Sequence, residues 1–256
     1  MRALLLDFAK CIGCGSCVAA CRAQNKLPDP EGAPPPERLD ANNYTSLRKL
    51  TWKGQEINYR QMCMHCVEPT CASVCPVSAL RKTAQGPVVY DANICLGCRY
   101  CMQACPYNVP RYEWSSLNPR VSKCNFCAER LAKGLPNACA EACPVEATVA
   151  GERAELLKLA RARIAAEPNK YVDHIYGERE AGGSSVLILS PVHFEQLGLP
   201  ANLTEDPLPM LTFRVLSKIP HFVAFGGAAL AGLWWITNRR QEVAAAEARE
   251  TKEEKP

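Results

Sequence analysis

CLGCRYCMQACP, residues 95–106, places four cysteines in eleven residues and follows them with a proline. The crowding recurs along the chain. The sixteen cysteines of the 256 residues fall at 11, 14, 17, 21; at 63, 66, 71, 75; at 95, 98, 101, 105; and at 124, 127, 139, 143. These are four groups of four with none left over. Neighbours so close in sequence make strained or useless disulfide loops, which argues against a secreted, disulfide-stapled domain. They suit ligands that converge on one metal centre. Structural zinc takes two CxxC pairs a dozen or more residues apart, and the third cysteine of CxxCxxC breaks that pattern.

CxxCxxCxxxCP is the bacterial ferredoxin run, whose fourth cysteine ligates the other cluster of a pair. One short loop can wrap a cubane while its amides donate to sulfur. Four such groups point to four [4Fe-4S] clusters held by all sixteen cysteines. The groups also repeat. LLLDFAKCIGCGSC and VVYDANICLGCRYC share a short β-prone run, an Asp four residues before the first Cys (Asp7, Asp91) and a Gly two residues after it (Gly13, Gly97). This predicts a strand, a tight loop, and a helix entered at the fourth Cys with proline in its first turn. CMHCVEPTCASVCP and CNFCAERLAKGLPNACAEACP keep the CxxC opening and CxxxCP close but carry inserts.

Elsewhere, LPDPEGAPPPERLDANNYTS (27–46) predicts an irregular surface loop. ERAELLKLARARIAAE (152–167), with Leu156, Leu157, Ala160 and Ile164 on one face, predicts an amphipathic helix ending before Pro168. SSVLILS (184–190) predicts a buried strand, and Gly182 with Gly183 a turn. IPHFVAFGGAALAGLWWITN, between Lys218 and Arg239, has no formal charge. At about 1.5 Å per residue it is long enough for a bilayer. Trp234 and Trp235 sit at one end like an interfacial belt, and Gly226, Gly227 and Gly232 suit close packing. Arg214 and Lys218 precede the span, whereas Arg239, Arg240, Arg249, Lys252 and Lys255 follow it. The positive-inside rule therefore expects a cytoplasmic tail and a cysteine domain on the other, periplasmic face.

The formal charge of +4 counts thiols as neutral; with four oxidised clusters it becomes about −4. Neither value, nor any basic run interleaved with aromatics, suggests nucleic acid. Among residues adjoining the cysteines, Lys10, Arg22, Arg99 and Lys123 are candidates for raising cluster potentials, with plain solvated charges as the alternative. His65 is expected to pack or hydrogen-bond. His221, near the start of the span, is expected to be interfacially solvated, with a quinone or haem partner as the sharper option. No nucleotide loop, nucleophile–base pair or open metal position appears, so no catalytic residue is expected.

On these motifs the chain resembles the four-cluster iron–sulfur (β) subunits of membrane oxidoreductases. YVDHIYGEREAGGSSVLILSPVHFEQLGLP and the terminal anchor look most like the formate dehydrogenase and hydrogenase-2 electron-transfer members. The resemblance implies that the first group pairs with the fourth and the second with the third. Cys11, Cys14, Cys17 and Cys143 would then hold one cluster, and Cys21, Cys124, Cys127 and Cys139 another. Cys63, Cys66, Cys71 and Cys105 would hold a third, and Cys75, Cys95, Cys98 and Cys101 the fourth. Arg22 departs from the proline that follows the other groups as Pro76, Pro106 and Pro144.

The expected fold class is α+β: duplicated bacterial ferredoxin-like two-cluster units with loop insertions, plus a C-terminal single transmembrane helix. The expected divisions are a polyferredoxin domain (1–150), a peripheral helix/strand extension (151–213), the anchor (214–240) and a charged tail (241–256). The implied function is non-catalytic electron transfer between a catalytic subunit and a membrane cytochrome b or quinone site. The catalytic subunit would be a molybdenum or tungsten bis-pterin formate dehydrogenase. Nickel–iron hydrogenase and dimethyl sulfoxide or polysulfide-type reductases are alternatives, and an iron–sulfur sensor or scaffold a remote one. With its first ligand at residue 11 the chain is expected to lack an export signal, and to travel with a twin-arginine-signalled partner.

Overall fold

The structure, a computed structural model, describes residues 1–28, 34–117 and 119–253. It divides into two compact units, Met1–Pro209 and Met210–Pro256. The first unit begins with strand β1 (Arg2–Asp7), followed by helix α1 (Ser16–Asn25). A hairpin of β2 (Thr45–Trp52) and β3 (Gln55–Met62) comes next, then helix α2 (Thr70–Ser73). Strands β4 (Leu80–Lys82) and β5 (Val88–Tyr90) lead into helix α3 (Tyr100–Ala104). The short pair β6 (Arg111–Tyr112) and β7 (Val121–Ser122) precedes helices α4 (Ala128–Ala132) and α5 (Ala138–Glu141). Strand β8 (Thr148–Glu152), helix α6 (Arg153–Ala166) and strand β9 (Val186–Leu189) close the unit.

β1 is the centre of the main sheet, antiparallel to β8 and parallel to β9. Both faces of β1 are covered, which is why ALLL (3–6) is apolar without alternation. Leu4, Leu6 and Phe8 join the core beneath the cysteine loops, while Ala3 and Leu5 pack on Leu156, Leu157 and Ala160 of α6. The sheet thus takes its third strand from the stretch expected to form a peripheral extension. The turn at Gly182–Gly183 returns the chain to it, with Val67 N–H bonded to Gly183 O at 2.9 Å.

Helices enter earlier than expected. α1 and α3 begin before the third cysteine of their groups, so the fourth cysteine opens neither helix: Cys105 closes α3, and Cys21 lies inside α1. The reason is the proline behind it. A residue preceding proline is driven out of the helical region, and Cys105 is extended (φ −77°, ψ 113°). α2, α3 and α5, each followed within a few residues by Pro76, Pro106 or Pro144, are only four or five residues long. Arg22 removes that stop, and α1 runs ten residues through Cys21.

The repeated aspartates start the loops. Asp7 Oδ1 accepts the Ala9 and Lys10 amides at 3.1 and 3.2 Å, and Asp91 Oδ1 accepts the Asn93 amide at 3.0 Å. Asp7 is fully buried, 2.8 Å from Arg163 of α6 and 3.0 Å from the Tyr171 hydroxyl. Removing one member of a buried pair strands the other. Arg163→Met is therefore expected to cost about 3 kcal/mol, read from the guanidinium midpoint by circular dichroism.

The stretch 27–46 is not wholly a surface loop. Leu39, Thr45 and Ser46 are buried, and the last two open β2; residues 29–33 lie outside the described residues. The hairpin turns at Lys53–Gly54, both at positive φ, the geometry that matches strand twist in two-residue hairpins.

The chain continues in α7 (Leu208–Leu216), all but its first two residues in the second unit, and α8 (Ile219–Glu253). Among the described residues, one stretch, Leu208–Arg249, is long and apolar enough to cross a membrane. Phe222, Phe225, Leu230, Leu233, Trp234 and Trp235 are all exposed. That apolar surface, uncovered by protein, makes it a candidate anchor. Lys255 lies outside the described residues.

Candidate cofactor site

Four loops carry the cysteines, and each turns on a left-handed residue two places after its first cysteine. Gly13 and Gly97 occupy this position in two loops, His65 and Phe126 in the others (φ between 48° and 72° for all four). The glycine signal was legible in the sequence; the other two were not, since neither residue type advertises a positive φ. His65 and Phe126 support one another, with ring centroids 4.7 Å apart. This turn aims an amide back at sulfur. Gly97 N–H lies 3.4 Å from Cys95 Sγ and Phe126 N–H 3.3 Å from Cys124 Sγ; Gly13 N–H bonds to the Cys11 sulfur in the same way.

The loops leave no room for a side chain at the glycines. A Cβ on Gly13 would lie 2.5 Å from Asn58 Oδ1, and one on Gly97 2.8 Å from Tyr112 Oη. Gly13→Ala is expected to cost more than about 2 kcal/mol, combining left-handed strain with overlap. Gly54→Ala, also at positive φ but with nothing within 4 Å, should show the strain alone, about 1–2 kcal/mol. Denaturant titrations of the two variants check the difference.

The nested strands and helices bring distant cysteines together. α1 packs on α5 and α2 on α3. Cys11, Cys14, Cys17 and Cys143 line one cavity, Cys21, Cys124, Cys127 and Cys139 a second, and Cys75, Cys95, Cys98 and Cys101 another. Burial pushes the Cys66 thiol up, and Cys63, Cys105 and Cys71 are near enough to add to that shift. The quartets adjoin in series. Cys17 of the first neighbours Cys139 of the second, Cys124 of the second neighbours Cys63 of the third, and Cys71 of the third neighbours Cys101 of the fourth. Cys14 and Cys98, in the outer quartets, are exposed; Cys21, Cys124, Cys127, Cys139 and Cys63, in the inner ones, are buried.

Burial pushes the Cys21 and Cys71 thiols up to about 12 and the Cys101 thiol to about 11, with neighbouring cysteine charges adding to the effect. Such sulfurs become thiolates readily only beside a strongly positive centre. Among the described residues, no three His, Cys, Asp or Glu side chains are close enough to grip a single metal ion. The donor set fits a polynuclear iron–sulfur group, since four cysteines line each of three cavities and loop amides point back at sulfur.

The charged candidates separate. Lys123 is buried, and its ammonium donates to Val88 O and to Cys124 O at 3.0 Å; it is not a solvated charge. Arg22 is buried and bonded to Asn43 Oδ1 at 2.9 Å. Arg99 is exposed and stacks 4.8 Å from the Tyr112 centroid and 4.6 Å from that of Trp114. Lys10 is half-buried. His65 is fully buried and accepts the Val88 amide on Nδ1 at 3.0 Å. Burial first, then the Lys123 and Lys82 charges, hold its pKa well below the ordinary histidine value, so the imidazole is neutral. His221 is exposed on α8. Arg60 and Lys82 were missed by sequence reading, since both lie outside the cysteine motifs.

A family model described as a 4Fe-4S dicluster domain matches residues 56–153, and one described as a 4Fe-4S binding domain matches residues 4–24. The Hydrogenase-2 operon protein HybA of Escherichia coli O157:H7 is 40% identical over 239 residues, covering 77% of this chain and 72% of that protein. The nitrate-inducible formate dehydrogenase iron-sulfur subunit of Escherichia coli K12 is 33% identical over 221 residues, covering 80% and 73%. A tetrathionate reductase subunit of Salmonella typhimurium LT2 is 35% identical over 183 residues, covering 72% and 69%. With thiols, amides and glycine turns arranged to wrap iron and sulfide, and relatives of this length and identity, the chain belongs to the family of 4Fe-4S electron-transfer subunits.

Proposed function

We propose that each quartet holds one [4Fe-4S] cluster, four in all, within two nested ferredoxin-like halves of an α+β unit. The first group of cysteines shares its two clusters with the fourth, and the second with the third. When bound, each cluster supplies a one-electron redox centre. The protein's own contribution is to set the four sites in series, bury the sulfurs of the second site and expose Cys14 and Cys98 at the two ends. That series, with its two exposed sulfurs at opposite ends, is the observation that carries the reading. It is the arrangement of a conductor, with no residue cast as a catalyst.

On this reading the chain carries electrons between a catalytic partner and a membrane cytochrome b or quinone site. Residues 214–240 anchor it, 241–256 form the charged tail, and the cation excess after the span sets the tail in the cytoplasm. The cysteine unit is then periplasmic, co-exported with its partner. A reporter fused after Pro256 that proves extracytoplasmic would reverse this topology.

The donor is proposed to be the catalytic subunit of a molybdenum or tungsten formate dehydrogenase; in support, one relative is the iron-sulfur subunit of a formate dehydrogenase. The similarity to the hydrogenase-2 protein supports a nickel–iron hydrogenase as the second reading. The test is metal analysis of the complex isolated anaerobically from gently solubilised membranes. About sixteen irons from this subunit with molybdenum or tungsten supports the first reading; nickel without either supports the second. Markedly less iron, with partner activity intact, sinks the conductor.

A further inference from the structure

Arg60 lies where no cysteine motif would place a charge. It is on β3, in the insertion between the first two cysteine groups, and is 6% exposed. Its side chain lines both the cavity of Cys11, Cys14, Cys17 and Cys143 and that of Cys21, Cys124, Cys127 and Cys139. Nη2 lies 3.4 Å from Cys139 Sγ and also meets the Met62 sulfur, while Nη1 donates to Thr148 Oγ1 at 3.3 Å. Nε is buried and has no hydrogen-bond partner. No carboxylate pairs with Arg60 among the described residues.

A guanidinium is charged at every accessible pH, and a buried, unpaired charge is strongly unfavourable. Balancing negative charge has to come from the sulfurs that surround it. Both cavities therefore share one fixed cation, and neither inner lysine duplicates it. Lys82 donates to the His65 and Cys66 carbonyls, and Lys123 to those of Val88 and Cys124.

We propose that Arg60 is a positioning residue for the first two quartets, a cation shared between them that raises the reduction potentials of both bound clusters. This rests on the cluster assignment proposed above. Four thiolates around an oxidised cubane leave a net charge of about −2, and one added electron makes it about −3. In a titration that electron comes from dithionite through mediators, and Arg60 takes up no proton. Its charge favours the reduced form on either side. The third and fourth quartets, which Arg60 does not line, should feel little of it.

The experiment is a potentiometric titration of the full-length, iron-loaded protein followed by electron paramagnetic resonance, with iron counted on each sample. Signals are assigned to quartets by their loss in Cys14→Ala and Cys139→Ala. In Arg60→Met, the reduction equilibrium constants of the first and second clusters are expected to fall at least tenfold, about 59 mV for a one-electron couple. The other two should stay in place. Unchanged potentials, or an equal shift in all four, overturns the proposal. If Arg60→Met fails to load iron, Arg60→Lys is measured instead. Its point charge cannot span both cavities as the planar fork does, so the potential of at least one of the two should fall; no shift overturns the proposal. A wild-type protein without four reducible clusters overturns the cluster assignment itself, and this is seen before any variant is made.

Discussion

Cys21→Ala and Cys139→Ala are expected to abolish the same iron–sulfur signal, although the residues stand 118 positions apart. Each variant should lose about four of about sixteen irons. Cys21 lies four residues from Cys17, and local wrapping would put both on one centre. The fold separates them. α1 presents Cys17 towards the cavity that also contains Cys143, and Cys21 towards the cavity that contains Cys124, Cys127 and Cys139. Anaerobic iron analysis with electron paramagnetic resonance of the reduced variants decides the matter. Loss in Cys21→Ala of the signal that Cys14→Ala removes would reverse the assignment and restore purely local pairing.

The second large effect concerns the apolar helix. In the full-length chain, the pair Leu230→Arg and Leu233→Arg is expected to abolish stable membrane association. An arginine at the centre of a span costs about 2.5–3.5 kcal/mol, so two cost about 6 kcal/mol, a shift of about four orders of magnitude in partitioning. Both leucines are exposed in the structure, so the exchange removes no packing within the described protein. Ala244→Arg, beyond Arg239 and Arg240, is the control and should leave partitioning unchanged. Carbonate extraction of membranes followed by immunoblotting reads all three. Retention of the double variant in the extracted membrane would show that this helix is not what holds the chain there.

Much of this protein was legible without coordinates because its chemistry is local. A CxxCxxC run dictates a tight wrap, the aspartate four residues ahead starts the loop, and glycine at the second place supplies a left-handed turn that other residues resist. The uncharged run from Ile219 to Asn238 is equally plain, since bilayer thickness converts directly into residue count. The helix boundaries are less plain. Proline is tolerated in the first turn of a helix, but its stronger effect here is on the residue before it. The contrast between ten-residue α1 and its short counterparts follows from Arg22 alone standing where the others have proline.

Composition and spacing by themselves pointed to iron–sulfur chemistry, through sixteen cysteines in four groups of four, and to one apolar stretch of bilayer length. Tertiary structure decided what no spacing encodes. His65 and Phe126 adopt the glycine-like turn, with their rings packed against each other. The strand at 186–189 completes the sheet around β1, and distant cysteines meet because α1 packs on α5 and α2 on α3. Arg60 enters the space between two quartets from a hairpin that contains no cysteine. Ligand identity is a property of a few adjacent residues. The electrostatic surroundings of those ligands are a sum over everything the fold brings near, and that sum is taken only once the chain has closed on itself.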